Sequence, residues 1–143
     1  MNKWMWIIIA ALALQGCKLG VDKEDDGEID TVTVSSTDDN SVIIDEEEAY
    51  HLSVTGSGNT ITLRGDVSQI TVKADRTSII IEDDTLIDKL TLSSNNNDIS
   101  TAASLQTVIT SLSIAGEDNL VTVYDVVTAT VVADKGNLVT ETQ

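Results

Sequence analysis

This chain of 143 residues has one cysteine, one histidine, and no proline or phenylalanine. A single cysteine excludes a disulfide within the chain. A single histidine excludes zinc sites built from several histidines, and it leaves His51 as the one candidate for a Ser-His-Asp relay. Basic residues are also scarce, at eight against 24 acidic residues. Such an acidic chain would repel the phosphates of nucleic acid, so we expect no nucleic-acid partner.

Long hydrophobic runs are absent as well. The longest apolar run, Trp4 to Leu14, has eleven residues and follows Lys3. A helix that crosses a membrane needs about 20 residues. A basic residue followed by a run of this length is instead typical of a cleaved signal peptide.

The letters LQGC end the apolar run at Cys17. They resemble the lipobox of bacterial lipoproteins, with an aliphatic residue three positions before the cysteine and a small residue directly before it. The resemblance implies a signal peptide over 1–16 and acylation of Cys17, which anchors the mature protein in a lipid bilayer because two or more acyl chains hold stably. Residue 18 is lysine and not the aspartate of retained lipoproteins. In this respect the sequence resembles lipoproteins that are sent to the outer membrane. The alternative is an ordinary secretory signal with an incidental thiol.

The segment after Cys17 is strongly acidic. Removal of Lys3 with the signal leaves seven basic against 24 acidic residues, a formal charge of −17, and twelve of the acidic residues lie between Asp22 and Glu48. We interpret 17–30 as an acidic tether and 31–143 as a single folded domain. Residues 22–33 approach the spacing of a calcium-binding loop, but Thr33 stands where a bidentate glutamate is expected. We therefore expect no metal or other cofactor.

A phrase of about 20 residues recurs through the domain, in which two alternating runs flank a polar turn. Alternation with a period of two indicates strands with one buried face, and the varying repeat length favours a right-handed coil. The sequence therefore predicts an all-β, single-domain parallel β-helix (β-solenoid) of about six rungs, with a single helical or looped turn at 45–51. The rungs begin at Val32, Leu52, Ile70, Leu90, Leu112 and Thr130.

The same alternation predicts the interior. Three inward points per rung would close the coil: the first and third residues of the first run, one residue of the second run, and one residue three positions before the next rung. They are Leu52, Val54, Ile70, Val72, Leu90, Leu92, Leu112 and Ile114; Ile61, Ile79, Ile99, Val121 and Val139; and Val67, Ile87, Ile109 and Val127.

Asparagine recurs at one position of the polar turn. It is preceded in most rungs by a residue type that tolerates a left-handed backbone, and these preceding residues are Asp39, Gly58, Arg76, Asn96, Asp118 and Gly136. Side-chain amides stacked one strand spacing apart can bond to each other. We therefore predict a structural ladder, broken once at Thr77, of Asn40, Asn59, Asn97, Asn119 and Asn137.

The repeat letters GSGNTITL, EDNLVTV and KGNLVTE are similar to a bacterial family known as domain of unknown function 3060. The resemblance covers about residues 30 to 140. It implies a repeat domain, and it carries no activity with it.

Neither a catalytic constellation nor a cofactor motif emerges, and we expect His51 to be a surface residue rather than a catalytic one. We therefore predict a non-catalytic structural or interaction module with a protein or glycan partner. The alternative is a carbohydrate-binding or carbohydrate-active β-helix protein that uses a small basic face of Arg64, Lys73, Arg76 and Lys89. Only four residues follow Val139, and because they form no evident cap, self-association through the end of the solenoid is a further hypothesis.

Overall fold

The computed structural model describes residues 21–24, 29–37, 40–102, 104–132 and 135–142. These residues form thirteen β-strands and no helix. The strands are β1 Val21–Glu24, β2 Asp30–Val34, β3 Ser41–Asp45, β4 Tyr50–Val54, β5 Thr60–Arg64, β6 Val67–Val72, β7 Ser78–Ile81, β8 Leu86–Leu92, β9 Asp98–Thr101, β10 Val108–Ile114, β11 Leu120–Val123, β12 Asp125–Val132 and β13 Leu138–Glu141.

The strands belong to two sheets. Sheet 1 has the order β1-β2-β4-β6-β8-β10-β12, and sheet 2 has the order β13-β11-β9-β7-β5-β3. All neighbours pair in parallel except β1, which is antiparallel to β2. Because the chain alternates between the sheets from β2 onward, it winds into a coil of about five turns. The structure confirms the all-β parallel β-solenoid, whereas its right-handedness stays a prediction.

Like residues stack on like residues along the coil. In sheet 1, Leu52 pairs with Ile70, which pairs with Leu90. In sheet 2, Ile61 pairs with Ile79, which pairs with Ile99. These side chains are buried in one continuous core, and burying each one contributes about 1.5 to 3 kcal/mol. The predicted interior positions are therefore confirmed for every rung but the last.

The last rung differs because strand β12 contains a bulge. Leu112 pairs with Ala129 and Ser113 pairs with Val131, so Thr130 is an extra residue. The repeat alignment places Thr130 opposite Leu112, and because this is one residue out of register it assigns Val127 to the wrong face. Val127 is 64% exposed, and Val126 lies opposite Ile109 instead. Val126 and Val139 are both partly buried against the core.

The chain between the first two rungs is a loop. Residues 46–49 connect β3 to β4, so the looped alternative for 45–51 is the one observed. Tyr50 begins β4 as a buried residue opposite Val67, and it fills the third inward position of its rung. The core also contains five second-run residues that the repeat analysis did not assign, namely Val42, Ile44, Leu63, Ile81 and Val123.

Candidate functional site

The polar turn between the two sheets contains a left-handed residue at the same position in successive described rungs. The residue before the asparagine position has a positive φ at all five turns where the structure describes it; Asp39, in the first turn, lies outside the described residues. The angles are 75° at Gly58, 57° at Arg76, 57° at Asn96, 53° at Asp118 and 74° at Gly136. The prediction of a left-handed residue at this position is confirmed there.

Three of the predicted asparagines are joined by their side chains. The Nδ2 of Asn97 donates to the Oδ1 of Asn119 at 3.0 Å, and the Nδ2 of Asn119 donates to the Oδ1 of Asn137 at 3.0 Å. The same oxygens also accept the backbone N–H of the preceding rung, at 2.9 and 2.8 Å. Asn97 and Asn119 are buried, so these bonds satisfy polar groups that water does not reach.

The column of linked amides ends at Thr77. The backbone N–H of Thr77 donates to the Oδ1 of Asn97 at 2.9 Å, but its own buried hydroxyl has no partner, and neither has the Oδ1 of Asn59. Asn59 donates instead to the carbonyls of Ser36 and Gly56, at 2.7 and 2.6 Å. Asn40 donates to the carbonyl of Thr37 at 2.9 Å.

A second polar column lies one residue before the left-handed position. Its side-chain oxygens accept backbone N–H groups of the next rung: Ser57 from Asp75 at 3.2 Å, Asp75 from Asn95 at 2.7 Å, and Asn95 from Glu117 at 2.8 Å. Lys135 closes the column with a bond to Glu117 at 3.0 Å. Sequence reasoning missed this column, although the recurrence of a polar side chain directly before the left-handed residue was a usable signal.

The four basic residues of the alternative hypothesis are distributed over different parts of the coil. Arg64 ends β5 in sheet 2, whereas Lys89 lies in β8 of sheet 1, between Gln69 and Ser111. Lys73 and Arg76 lie in the turn after β6. Lys89 lies next to the inward Leu90 and is exposed on the outer face of sheet 1. Lys73 is exposed directly after β6, and Arg64 belongs to sheet 2.

Arg64 is engaged by acidic neighbours. Its Nε donates to the Oε2 of Glu82 at 2.8 Å, and its Nη1 lies 4.0 Å from the Oδ2 of Asp45. The hydrogen bond to Glu82 is the main cause that raises the pKa of the guanidinium above its ordinary value. Both partners are substantially exposed, so this ion pair contributes little to the stability of the fold.

The adjacent residues Tyr50 and His51 have opposite environments. Tyr50 is fully buried, and its hydroxyl has no hydrogen-bond partner. Burial is the largest cause that raises the pKa of this phenol, with smaller contributions from the charges of Glu46, Asp45 and Asp83. His51 is half-buried on the outer face of sheet 1, between Thr31 and Gln69.

The acidic segment before the coil contains a strand within the predicted tether. In the hairpin of β1 and β2, Asp22 pairs with Thr33 and Glu24 pairs with Thr31. This hairpin differs from a calcium loop, which connects two helices. Among the described residues, no three histidine, cysteine, aspartate or glutamate side chains form a group that could hold a metal ion.

The lipidation prediction at Cys17 lies outside the described residues. Within the described part of the chain, no helix is long and apolar enough to cross a membrane. Comparisons of the protein with family models, with curated proteins and with solved structures found no match. The resemblances to bacterial lipoproteins and to domain of unknown function 3060 stay predictions.

Proposed function

We propose that this protein is a lipid-anchored module of the bacterial cell envelope, whose β-solenoid has a non-catalytic structural or interaction role. The observation that carries the proposal is the LQGC sequence ending at Cys17, directly after a basic residue and an apolar run too short to span a bilayer. Acyl chains on Cys17 would hold the domain at a membrane, in our proposal the outer membrane, because each buried methylene contributes about 0.8 kcal/mol.

The coil supports a role in binding or scaffolding. Its two sheets expose broad outer faces, and the turn between them is held by the asparagine column and by the column from Ser57 to Glu117. A framework bonded from rung to rung keeps its surface residues in fixed positions, which is what a binding surface requires.

Membrane fractionation tests the anchor. The full chain should incorporate labelled fatty acid and enter the detergent-soluble membrane fraction, whereas Cys17→Ala should lose both the label and the membrane fraction. Ser57→Ala, a substitution far from the signal, serves as the matched control and should behave like the unchanged protein. Labelling that persists in Cys17→Ala would contradict the proposal.

A carbohydrate-binding role is the second candidate, and the outer face of sheet 1 is the observation that favours it. From β2 to β10, one column of this face consists of hydroxyl residues paired in register: Thr33, Ser53, Thr71, Thr91 and Ser113. Lys89 lies on the same face, and Lys73 directly follows β6, one of its strands. Binding of an acidic polysaccharide should be lost in the double variant Lys73→Glu with Lys89→Glu and kept in the control Lys135→Glu. Unchanged binding in the double variant would contradict this role.

A further inference from the structure

The two sheets both terminate in an edge strand at the same end of the coil. β12 is the last strand of sheet 1 and β13 is the last strand of sheet 2. No other strand in the described part of the chain pairs with their outer edges. An edge strand presents unpaired N–H and C=O groups that can pair with another chain. We call the end formed by β12 and β13 the open end.

The apolar interior is also incompletely covered at the open end. Core residues of the first rung, Val34 and Val42, are fully buried, whereas Val126 and Val139 of the last rung are only partly buried. On the outer faces of the same two strands, Leu138 of β13 is 58% exposed and Val127 of β12 is 64% exposed. Apolar surface next to unpaired backbone is what a strand-pairing interface covers.

The opposite end of the coil is unsuited to the same contact. There the antiparallel strand β1 occupies the outer edge of β2, so a parallel rung cannot be added to sheet 1. Twelve acidic residues also lie between Asp22 and Glu48, and their mutual repulsion opposes contact between two such ends.

The open end carries much less charge. Beyond Asp118 the chain has three acidic residues, Asp125, Asp134 and Glu141, and one basic residue, Lys135. At physiological salt, charge interactions are screened over about 8 Å. Two open ends can therefore meet with little repulsion from the acidic ends of the two coils, which lie several rungs away.

We propose that two copies of this chain associate through their open ends, with β13 of one copy pairing antiparallel to β13 of the other and β12 likewise. A two-fold axis brings Val139 of each copy into one shared apolar layer, and the contact uses the same surface on both copies. Because β1 covers the edge of sheet 1 at the other end, a head-to-tail contact could pair only the β3 edge of sheet 2, so association stops at a dimer instead of growing into a filament. The inference goes beyond the proposed function and does not depend on the lipid anchor.

Sedimentation velocity of the full chain in density-matched detergent, over a range of protein concentrations, tests the proposal. Leu138→Lys places a charge in the interface and should raise the dimer dissociation constant at least about tenfold. The matched control is Leu86→Lys, because Leu86 is 59% exposed in β8, in the middle of sheet 1, and this variant should dimerise like the unchanged protein. Val127→Lys, at the other open edge, should repeat the effect of Leu138→Lys, and circular dichroism should show that each variant is folded.

Three results would overturn the inference: an unchanged protein that is monomeric at every concentration, a series of species larger than the dimer, or a dimer that survives both Leu138→Lys and Val127→Lys while both remain folded. Loss of the dimer in Leu86→Lys would equally contradict it. Because the measurement is made in detergent, its outcome is separate from that of the acyl-labelling experiment on Cys17.

Discussion

At the residue scale, the fold depends on buried polar side chains whose bonds run from one rung to the next. Asn119 accepts a backbone N–H and an amide N–H from Asn97, and Asn137 accepts the same two bonds from Asn119. Leaving such a buried group without a partner costs about 1 to 3 kcal/mol. The asparagine column therefore fixes the turn, and an apolar residue could not replace asparagine at this position.

Removal of the central amide tests this role. Asn119→Ala should lower the free energy of unfolding by about 1 to 3 kcal/mol, because it removes bonds to Asn97, Asn137 and the carbonyl of Ser94. The control Asn40→Ala makes the same change at the same turn position, where the amide donates to the nearby Thr37 carbonyl, and it should cost less. Chemical denaturation measures both, and equal losses would show that the linked amides add no stability.

The phenol of Tyr50 gives the protein a dependence on alkaline pH. Burial raises its pKa above the ordinary value near 10, so below about pH 10 both the folded and the unfolded chain keep the proton. Above that pH the unfolded chain releases a proton that the folded chain retains, and stability falls as pH rises. Tyr50→Phe should make this fall shallower between about pH 10 and 12 without loss of stability at pH 7, because the hydroxyl has no partner.

The unchanged protein, measured over the same pH range, is the reference for Tyr50→Phe. A slope that is the same in Tyr50→Phe and in the unchanged protein would show that Tyr50 is not responsible.

At the element scale, the strands and their inward faces follow from the sequence because a buried face requires strict alternation. Ile61, Ile79 and Ile99 were identified in this way and stack in register. The bulge at Thr130 could not be foreseen, because one extra residue in a repeat of variable length leaves no compositional mark. Val127 was misassigned for that reason.

The inward register makes a direct prediction for strand β9. Ile99→Asp should destabilise the protein by about 3 to 5 kcal/mol, because it places an unpaired charge in the core. Its neighbour Ser100 faces outward between Ile80 and Thr122, so Ser100→Asp should change stability by less than about 1 kcal/mol. Thermal unfolding of the two variants distinguishes the faces, and similar melting temperatures would mean that the register of β9 is wrong.

Candidate site residues were less predictable than strands. The sequence predicts that Arg64 contributes to a basic face. In the structure its guanidinium instead forms an ion pair with Glu82 of the next rung. The repeat pattern likewise identifies Asn59 and Thr77 as neighbours, but it does not show that their buried oxygens lack partners. Such details depend on how side chains at one corner meet, and the repeat pattern does not contain that information.

At the scale of the whole molecule, the charge is distributed unevenly along the coil. Half of the 24 acidic residues precede Tyr50, next to the proposed membrane anchor. Such a segment repels itself and anionic lipid head groups. With the proposed anchor, this charge would favour separation of the coil from the bilayer, and in any setting it opposes compact folding of the first rung.

Salt should reduce this repulsion. The melting temperature should rise by a few degrees between about 0.02 M and 0.5 M NaCl, because the range of charge interactions shortens as ionic strength rises. Glu47→Lys with Glu48→Lys, in the exposed loop after β3, should raise the melting temperature in low salt and reduce the gain from added salt. Replacing Asp88, in the middle of the coil, with lysine should have a smaller effect. A melting temperature that falls with salt would contradict this view of the charge.

The central claim is that segments of about 20 residues stack in parallel and in register, and cysteine cross-linking tests it most directly. In a Cys17→Ala background, Thr71→Cys with Thr91→Cys places two thiols on paired positions of neighbouring strands, whose separation of about 4.8 Å permits a disulfide. Thr71→Cys with Ser93→Cys is two residues out of register, at about 8 Å, which is too far for one. After oxidation, mass spectrometry should find no free thiols in the first pair and two in the second; a first pair that stays reduced, or a second that cross-links as readily, would contradict the stacked coil.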